Sequence, residues 1–293
     1  MTDLTKPVSA PAATPGMTPR SNPPAVPGRF ALVGDSWVIA RRSLKHIRRQ
    51  PEMLTDATIQ PIMFVLLFAY VFGGAISVPQ GGSYKEFLLG GIFAQTVVFG
   101  CFGIAIGLTT DRSTGAIDRF RTLPIARSAV LTGRAMAAVL IGLLPIILMS
   151  LAGLVVGWRI HTGVLDALGG YALMVLFQFA MTWVGILMGS LLSTPQAVQG
   201  VAFTGIFPIT FLASTFVPVD TLPGVLRTFA EWNPVTSLSG ALRAQFGNPD
   251  VVAGSSDAWP LQHPVLYTVI WAVAIIAITA PLAVRAFNRV TSD

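Results

Sequence analysis

Six stretches of this chain contain no Asp, Glu, Lys, Arg or His: residues 57–76, 87–110, 135–157, 167–192, 199–219 and 264–284. Each is close to the ~20 apolar residues that a helix needs to cross a hydrocarbon core about 30 Å thick. In lipid a spanning segment must satisfy its own backbone hydrogen bonds, which a helix does. Over the 293 residues only 11% are charged and 53% are hydrophobic. That is too little charge to cover a water-facing surface. The expected fold class is all-α: a polytopic membrane protein with six transmembrane helices and almost no soluble domain.

Several catalytic classes are excluded by residue type. The lysines are Lys6, Lys45 and Lys85, none preceded by Gly, so the GxxxxGK[ST] phosphate loop is missing. The histidines, His46, His161 and His263, are far apart and build no HExxH or paired-histidine metal site. The single cysteine, Cys101, lies inside a span and reads as a small core residue. No catalytic residue, metal or cofactor is expected in the chain itself.

Residues 1–29 hold seven prolines among Ala, Ser and Thr, a composition expected to form a disordered tail. They lack the basic start and short apolar run of a signal peptide, so the tail is expected to stay in the mature protein. From 30 to 50, Phe30, Val33, Trp37, Ala40, Leu44 and Ile47 recur at helical spacing, with Arg41, Arg42, Lys45, Arg48 and Arg49 mostly off that stripe. This predicts an interfacial amphipathic helix held by buried apolar area and anionic lipid. Residues 51–293 then form the membrane domain.

Basic residues orient the chain. Eight precede the first span, five (Arg112, Arg119, Arg121, Arg127, Arg134) follow the second, and Arg285 and Arg289 follow the sixth, against Lys85, Arg159, Arg227 and Arg243 on the other side. By the positive-inside rule both termini are cytoplasmic; the expected location is the inner (plasma) membrane, as a multi-pass protein. The charge of +6 belongs to one membrane face rather than to a folded basic patch, so no nucleic-acid partner is expected.

Within the spans no titratable group is available to bind a coupling ion, which argues against a secondary carrier or channel. The spans offer Gln60, Gln95, Thr96, Gln178, Thr182 and Thr204 with many phenylalanines, Phe64 and Phe207 among them. Such a lining suits an amphiphilic, mostly apolar solute, although Gln and Thr also serve as inter-helix hydrogen-bonding groups. Gly103 with Gly107 and Gly185 with Gly189 permit close helix approach. Uphill transport would need energy from outside. The candidate point of delivery is the connection after the second span, residues 111–127, where Ile117, Phe120 and Leu123 stand beside Asp118, Arg119 and Arg121 ahead of Pro124. A short amphipathic element of this kind can seat in a partner's groove; equally it can be a basic topology loop. On the other side only residues 218–263 form a long connection. There Asn233–Pro234 supplies a cap and first-turn proline, and Val235, Leu238, Leu242 and Phe246 follow at helical spacing. These predict re-entrant segments that act as an exit gate, with Phe216 and Pro218 beside them, or as a lid on the bundle.

The stretches FAYVFGGAI (Phe68–Ile76), IDRFRTLPIAR (Ile117–Arg127), FPITF (Phe207–Phe211), FVP (Phe216–Pro218) and NPVT (Asn233–Thr236) resemble, in order and separation, permease subunits of type 2 ABC exporters. The similarity is greatest to daunorubicin/doxorubicin-resistance permeases. The resemblance implies six spans, an N-terminal interfacial helix, a coupling helix at Ile117–Pro124 and re-entrant segments before the sixth span. It also implies a dimer of permease subunits, identical or not, each docked on a separately encoded ATP-binding subunit that carries the ATP and Mg. Cargo is left open among polyketides, lipids, glycolipids and polysaccharide carriers. The rival class is a membrane-embedded lipid-modifying enzyme, for which no nucleophile or acid cluster converges by spacing.

Overall fold

The computed structural model describes residues 59–60, 62–72, 83–113, 127–216, 219, 222–249 and 257–290. The expected tail (1–29), the interfacial helix (30–50), the coupling residues Ile117, Asp118, Arg119, Phe120, Arg121, Leu123 and Pro124, and Pro218 lie outside the described residues, as do 251–256.

The described residues form helices and turns, with no strand among them. Among the described residues four helices are long and apolar enough to cross a membrane. They are α2 (Tyr84–Ser113), α3 (Arg127–Val156), α4 (Val164–Leu191) and α10 (Pro264–Val290). At 30 residues, α2 is about 45 Å long, which exceeds the hydrocarbon core. Ahead of it comes the shorter apolar α1 (Ile62–Val71), whose last turn merges into a π-helix, Phe68–Phe72. The outward faces of α3 and α10 are apolar and exposed, for example Ile147, Leu151, Val155, Ile270, Val273 and Ile278. In a soluble protein such faces would demand a partner; against lipid they need none. The chain is a polytopic, all-helical membrane protein.

Lipid gives apolar helices little reason to associate, so close backbone approach has to hold the bundle. The seam between α2 and α4 shows how. A Cβ at Gly185 would lie 2.4 Å from the Cys101 carbonyl oxygen, and one at Gly189 would lie 2.8 Å from Leu108 Cβ. The other small-residue pair behaves differently. Gly103 faces open space, while a Cβ at Gly107 would come 3.2 Å from Arg134 Nη2 on α3.

The segment expected as one span over 199–219 takes another form. Helix α5 (Pro195–Val201) starts earlier, capped by Thr194, whose Oγ1 accepts from Ala197 N. It passes through a π-turn (Ala202–Ile206) into α6 (Phe207–Phe211) and stops there. Residues 212–216 form a non-helical strap, buried from Ala213 to Phe216. The strap crosses α2 so closely that a Cβ at Gly91 would sit 2.1 Å from the Thr215 carbonyl oxygen.

After the strap come α7 (Gly224–Glu231), α8 (Pro234–Phe246) and a single turn α9 (Trp259–Gln262). Val225, Leu226 and Phe229 on α7 are exposed. In α8, Asn233 Oδ1 accepts from Val235 N, Pro234 occupies the first turn, and Gly247 ends the helix with φ 66°. That left-handed geometry favours glycine. Every residue from Val235 to Arg243 is buried, wedged among α2, α4 and α10. Arg243, which belongs to this connection and not to a charge-free span, is 0% exposed, because the connection folds back into the bundle.

Candidate functional site

Eight phenylalanines from four segments form a continuous wall. From α1, Phe68 stacks on Phe216 of the strap with ring centroids 4.4 Å apart, and Phe64 lies 6.1 Å from the same ring. Phe216 is 5.2 Å from Phe211, which stacks on Phe207 at 4.1 Å. Phe207 continues to Phe203 at 5.9 Å and to Phe99 of α2 at 6.4 Å, and Phe99 meets Phe102 at 5.4 Å. Rings at these separations attract one another beyond their area burial. Except for the buried Phe216, these rings are partly or fully open.

The wall borders open space. A Cβ added at Gly100, Gly103, Gly200 or Gly205 would meet nothing within 4 Å. Gly200, Phe203, Thr204, Phe207 and Phe211 recur at spacings of 3, 1, 3 and 4, one stripe of a helix. On α2, Phe99, Phe102 and Gly103 lie on the side away from Cys101, which faces α4. Both π-helical pieces carry wall residues, Phe68 in one and Phe203 in the other. Extra turns of this kind are frequent where a helix serves a function rather than only packing. The surface therefore offers aromatic faces and few hydrogen-bonding groups. Its chemistry suits flat or extended apolar bodies.

The residues singled out for the pathway divide into two sets. Phe64 on α1, Thr204 in the π-turn and Phe207 on α6 lie on segments that carry the wall, and Gln60, just ahead of α1, is exposed like Thr204. Gln95, Thr96, Gln178 and Thr182 do not reach the open face. Thr182 Oγ1 donates to the Gln178 carbonyl at 2.9 Å, and Thr96 Oγ1 to the Ile92 carbonyl at 2.8 Å, with Met149 Sδ at 3.1 Å. The Gln178 amide fills a notch left by Gly142 on α3, where a Cβ would come 1.3 Å from Nε2. Gln95 Nε2 and Gln178 Oε1 are buried with no hydrogen-bond partner among the described residues. The register set by Gly185 on Cys101 puts the two glutamines at one depth. Phe68, Phe99, Phe102, Phe203 and Phe211 belong to the wall but were not singled out from sequence. Their spacing at 3 and 4 residues was the available signal.

At the Tyr84 end the strap is held by side chains from elsewhere. A helix that stops within the membrane leaves carbonyls without partners, and no water is present to satisfy them. Asn233 Nδ2 donates to the Ile209 carbonyl at 2.7 Å. The Ser214 amide donates to Thr236 Oγ1 at 3.0 Å, and the Ser214 carbonyl accepts from Arg243 Nη2 at 2.6 Å. Tyr84 Oη donates to the Phe216 carbonyl at 3.1 Å. Asn233 thus has two roles, capping α8 and tying it to α6. The far end of α8 is fastened as well. Trp158 Nε1 donates to Asn248 Oδ1 at 2.6 Å, Asn248 Nδ2 to the Arg159 carbonyl at 2.8 Å, and Thr162 Oγ1 to the Gln245 carbonyl at 2.6 Å.

At the opposite end, the helices that flank residues 114–126 are clamped. Arg112 Nη1 donates to the carbonyls of Gly189, Ser190 and Leu192 at 3.2, 3.0 and 3.0 Å. A cation there also suits the negative end of the α4 dipole. The neighbouring Asp111 pairs with Arg134 of α3. Among the described residues no group of three His, Cys, Asp or Glu side chains could hold a metal ion.

Comparison with known proteins agrees with this architecture. The family model described as "ABC-2 type transporter" matches residues 35–246. A daunorubicin resistance ABC transporter permease protein of Streptomyces coeruleorubidus is 28% identical over 263 residues, covering 90% of this chain and 89% of the relative. A doxorubicin resistance ABC transporter permease protein of Mycobacterium tuberculosis is 24% identical over 283 residues, covering 93% and 96%.

Proposed function

Because the chain belongs to the ABC-2 type transporter family, and so is an ABC transporter permease, we propose that it exports an amphiphilic drug-like or lipid-like compound outward across the inner membrane by alternating access. Energy enters through a separately encoded ATP-binding subunit, which carries the ATP and Mg, and the permease works as a homo- or heterodimer. The single observation that carries the cargo class is the phenylalanine wall beside four glycines that face open space. Aromatic faces recognise planar or extended apolar bodies without demanding particular hydrogen-bond partners. The names of the two relatives, each a drug-resistance permease, point the same way.

In this reading both termini and residues 111–127 face the cytoplasm, and the Tyr84 end faces outward. Ile117, Asp118, Arg119, Phe120, Arg121, Leu123 and Pro124 dock on the ATPase. Arg112 and Asp111 then pass displacement to α4 and α3 through the clamps just described. Phe64, Phe207, Gln60 and Thr204 line the cargo path. Gln95, Thr96, Gln178 and Thr182 are reached only if α2, α3 and α4 separate. Phe216 and Pro218, with Asn233 and Pro234 behind them, form the exit.

The test is co-expression with the ATP-binding subunit encoded beside this chain. The two should co-purify, and cargo should stimulate ATP hydrolysis. Phe120→Ala or Arg121→Ala should lower stimulated hydrolysis and export together while membrane insertion stays intact. Turnover of a lipid by the chain alone would instead favour a membrane enzyme.

A further inference from the structure

The cargo reading makes no use of Arg243. Its Nε donates to the Phe87 carbonyl at 2.9 Å, Nη2 to the Ser214 carbonyl at 2.6 Å and Nη1 to Ser214 Oγ at 3.3 Å. The guanidinium carbon lies 3.7 Å from the centre of the Phe87 ring. Room for the stem comes from Gly90, where a Cβ would be 2.7 Å from Arg243 Cγ. A charge taken this far from water is costly, and an apolar side chain of similar volume would often be no less stable. Stability alone is therefore a weak reason for an arginine here.

What the arginine does reach is the strap. Ser214 is gripped at its amide by Thr236 and at both oxygens by Arg243, while the Phe216 carbonyl is held by Tyr84. Between these two anchors the backbone has little freedom, and the ring on it is the one that joins Phe68 to Phe211. We propose that Arg243 is a positioning residue for the outer end of the cargo path: by spanning the Phe87 and Ser214 carbonyls it fixes the strap, and the strap aims Phe216 into the wall. A planar fork with several fixed donors can hold two carbonyls on different segments at once; a lysine, as a single point charge, does this poorly. This proposal rests on the wall being the cargo path.

Two readouts separate it from a purely structural role, both on the full chain co-purified with its ATP-binding subunit. In the first, ethidium, a planar amphiphile, is titrated as stimulator of ATP hydrolysis. Arg243→Gln should raise the half-saturating concentration by about tenfold, with the maximal rate within about twofold, since a charge-assisted hydrogen bond is lost. Arg243→Lys should fall between. In the second, Phe216→Cys is labelled with a membrane-impermeant maleimide in a Cys101→Ser background, and adding Arg243→Gln should speed labelling about tenfold as the strap opens. An Arg243→Gln protein that labels at the original rate overturns the proposal. So does one that melts earlier yet keeps its half-saturating concentration. If Arg243→Gln does not accumulate, Thr236→Val, which removes only the Ser214 amide contact, must shift both readouts in the same direction or the proposal fails. An unsubstituted complex that ethidium does not stimulate counts against the cargo reading, and labelling then decides the strap by itself.

Discussion

Adding one methyl group at Gly185 tests how the bundle is held. An alanine there would put its Cβ 2.4 Å from the Cys101 carbonyl oxygen and 3.0 Å from Ile104 Cβ. The oxygen belongs to the backbone of α2, so no side chain can turn aside. Relief requires the two helices to part by about 1 Å, which loosens the packed contacts along that seam. Overpacking of this kind costs about 1–3 kcal/mol. Melting should fall by about 2–4 °C per kcal/mol for a domain of this size, so a loss near ~5 °C is expected by fluorescence-detected thermal unfolding in detergent. Gly103→Ala is the matched control, since its Cβ meets nothing within 4 Å. Its helix should gain about 0.5–1 kcal/mol from the better helix former. Equal melting temperatures for the two variants, or a larger loss at Gly103, would refute the claim that glycine contacts fasten α2 to α4.

Other perturbations follow from individual contacts. Asn248→Ala leaves the buried Trp158 indole N–H without its 2.6 Å acceptor and should cost about 1–3 kcal/mol, read as a lower melting temperature with unchanged membrane insertion. Phe207→Ala with Phe211→Ala removes the closest stack in the wall, 4.1 Å. It should weaken ethidium stimulation of the ATPase complex about tenfold, at about 0.5–1.5 kcal/mol per aromatic contact, whereas Phe179→Ala, away from the wall, should not. Arg112→Gln loses the charged contacts to the carbonyls of Gly189 and Ser190 in α4 and of Leu192 just after it; basal ATP hydrolysis should continue while stimulated hydrolysis and export decline together.

The parts that could be read from sequence are those where lipid sets the rule. Charge is excluded from hydrocarbon, so the charge-free runs 87–110, 167–192 and 264–284 match α2, α4 and α10 closely at both ends. The run 199–219 misled because a helix and an irregular strap can both be uncharged. The strap's backbone is satisfied by Thr236, Arg243 and Tyr84 and the end of α6 by Asn233, and hydropathy carries no record of such distant partners. Re-entry of the 218–263 connection was expected, but that it would bury Arg243 was not legible, for the same reason. Yet the run PVTSLSGALRAQF in α8 places Thr236, Ser239 and Arg243 at spacings of 3 and 4, a polar stripe that faces the strap. Phe64 and Phe207 were expected in the cargo lining and Phe216 at an exit gate. That they join Phe68, Phe99 and Phe211 in one wall depends on how α1, α2 and the strap meet.

The claim on which the account turns is that this chain moves cargo only when another polypeptide supplies the energy. Its most direct test is ethidium accumulation in proteoliposomes containing the chain with its ATP-binding subunit, the chain alone, and the pair without ATP. Accumulation should appear in the first, driven by ATP added on the face that bears residues 111–127, and be missing in the other two. Uphill accumulation by the chain alone would contradict it.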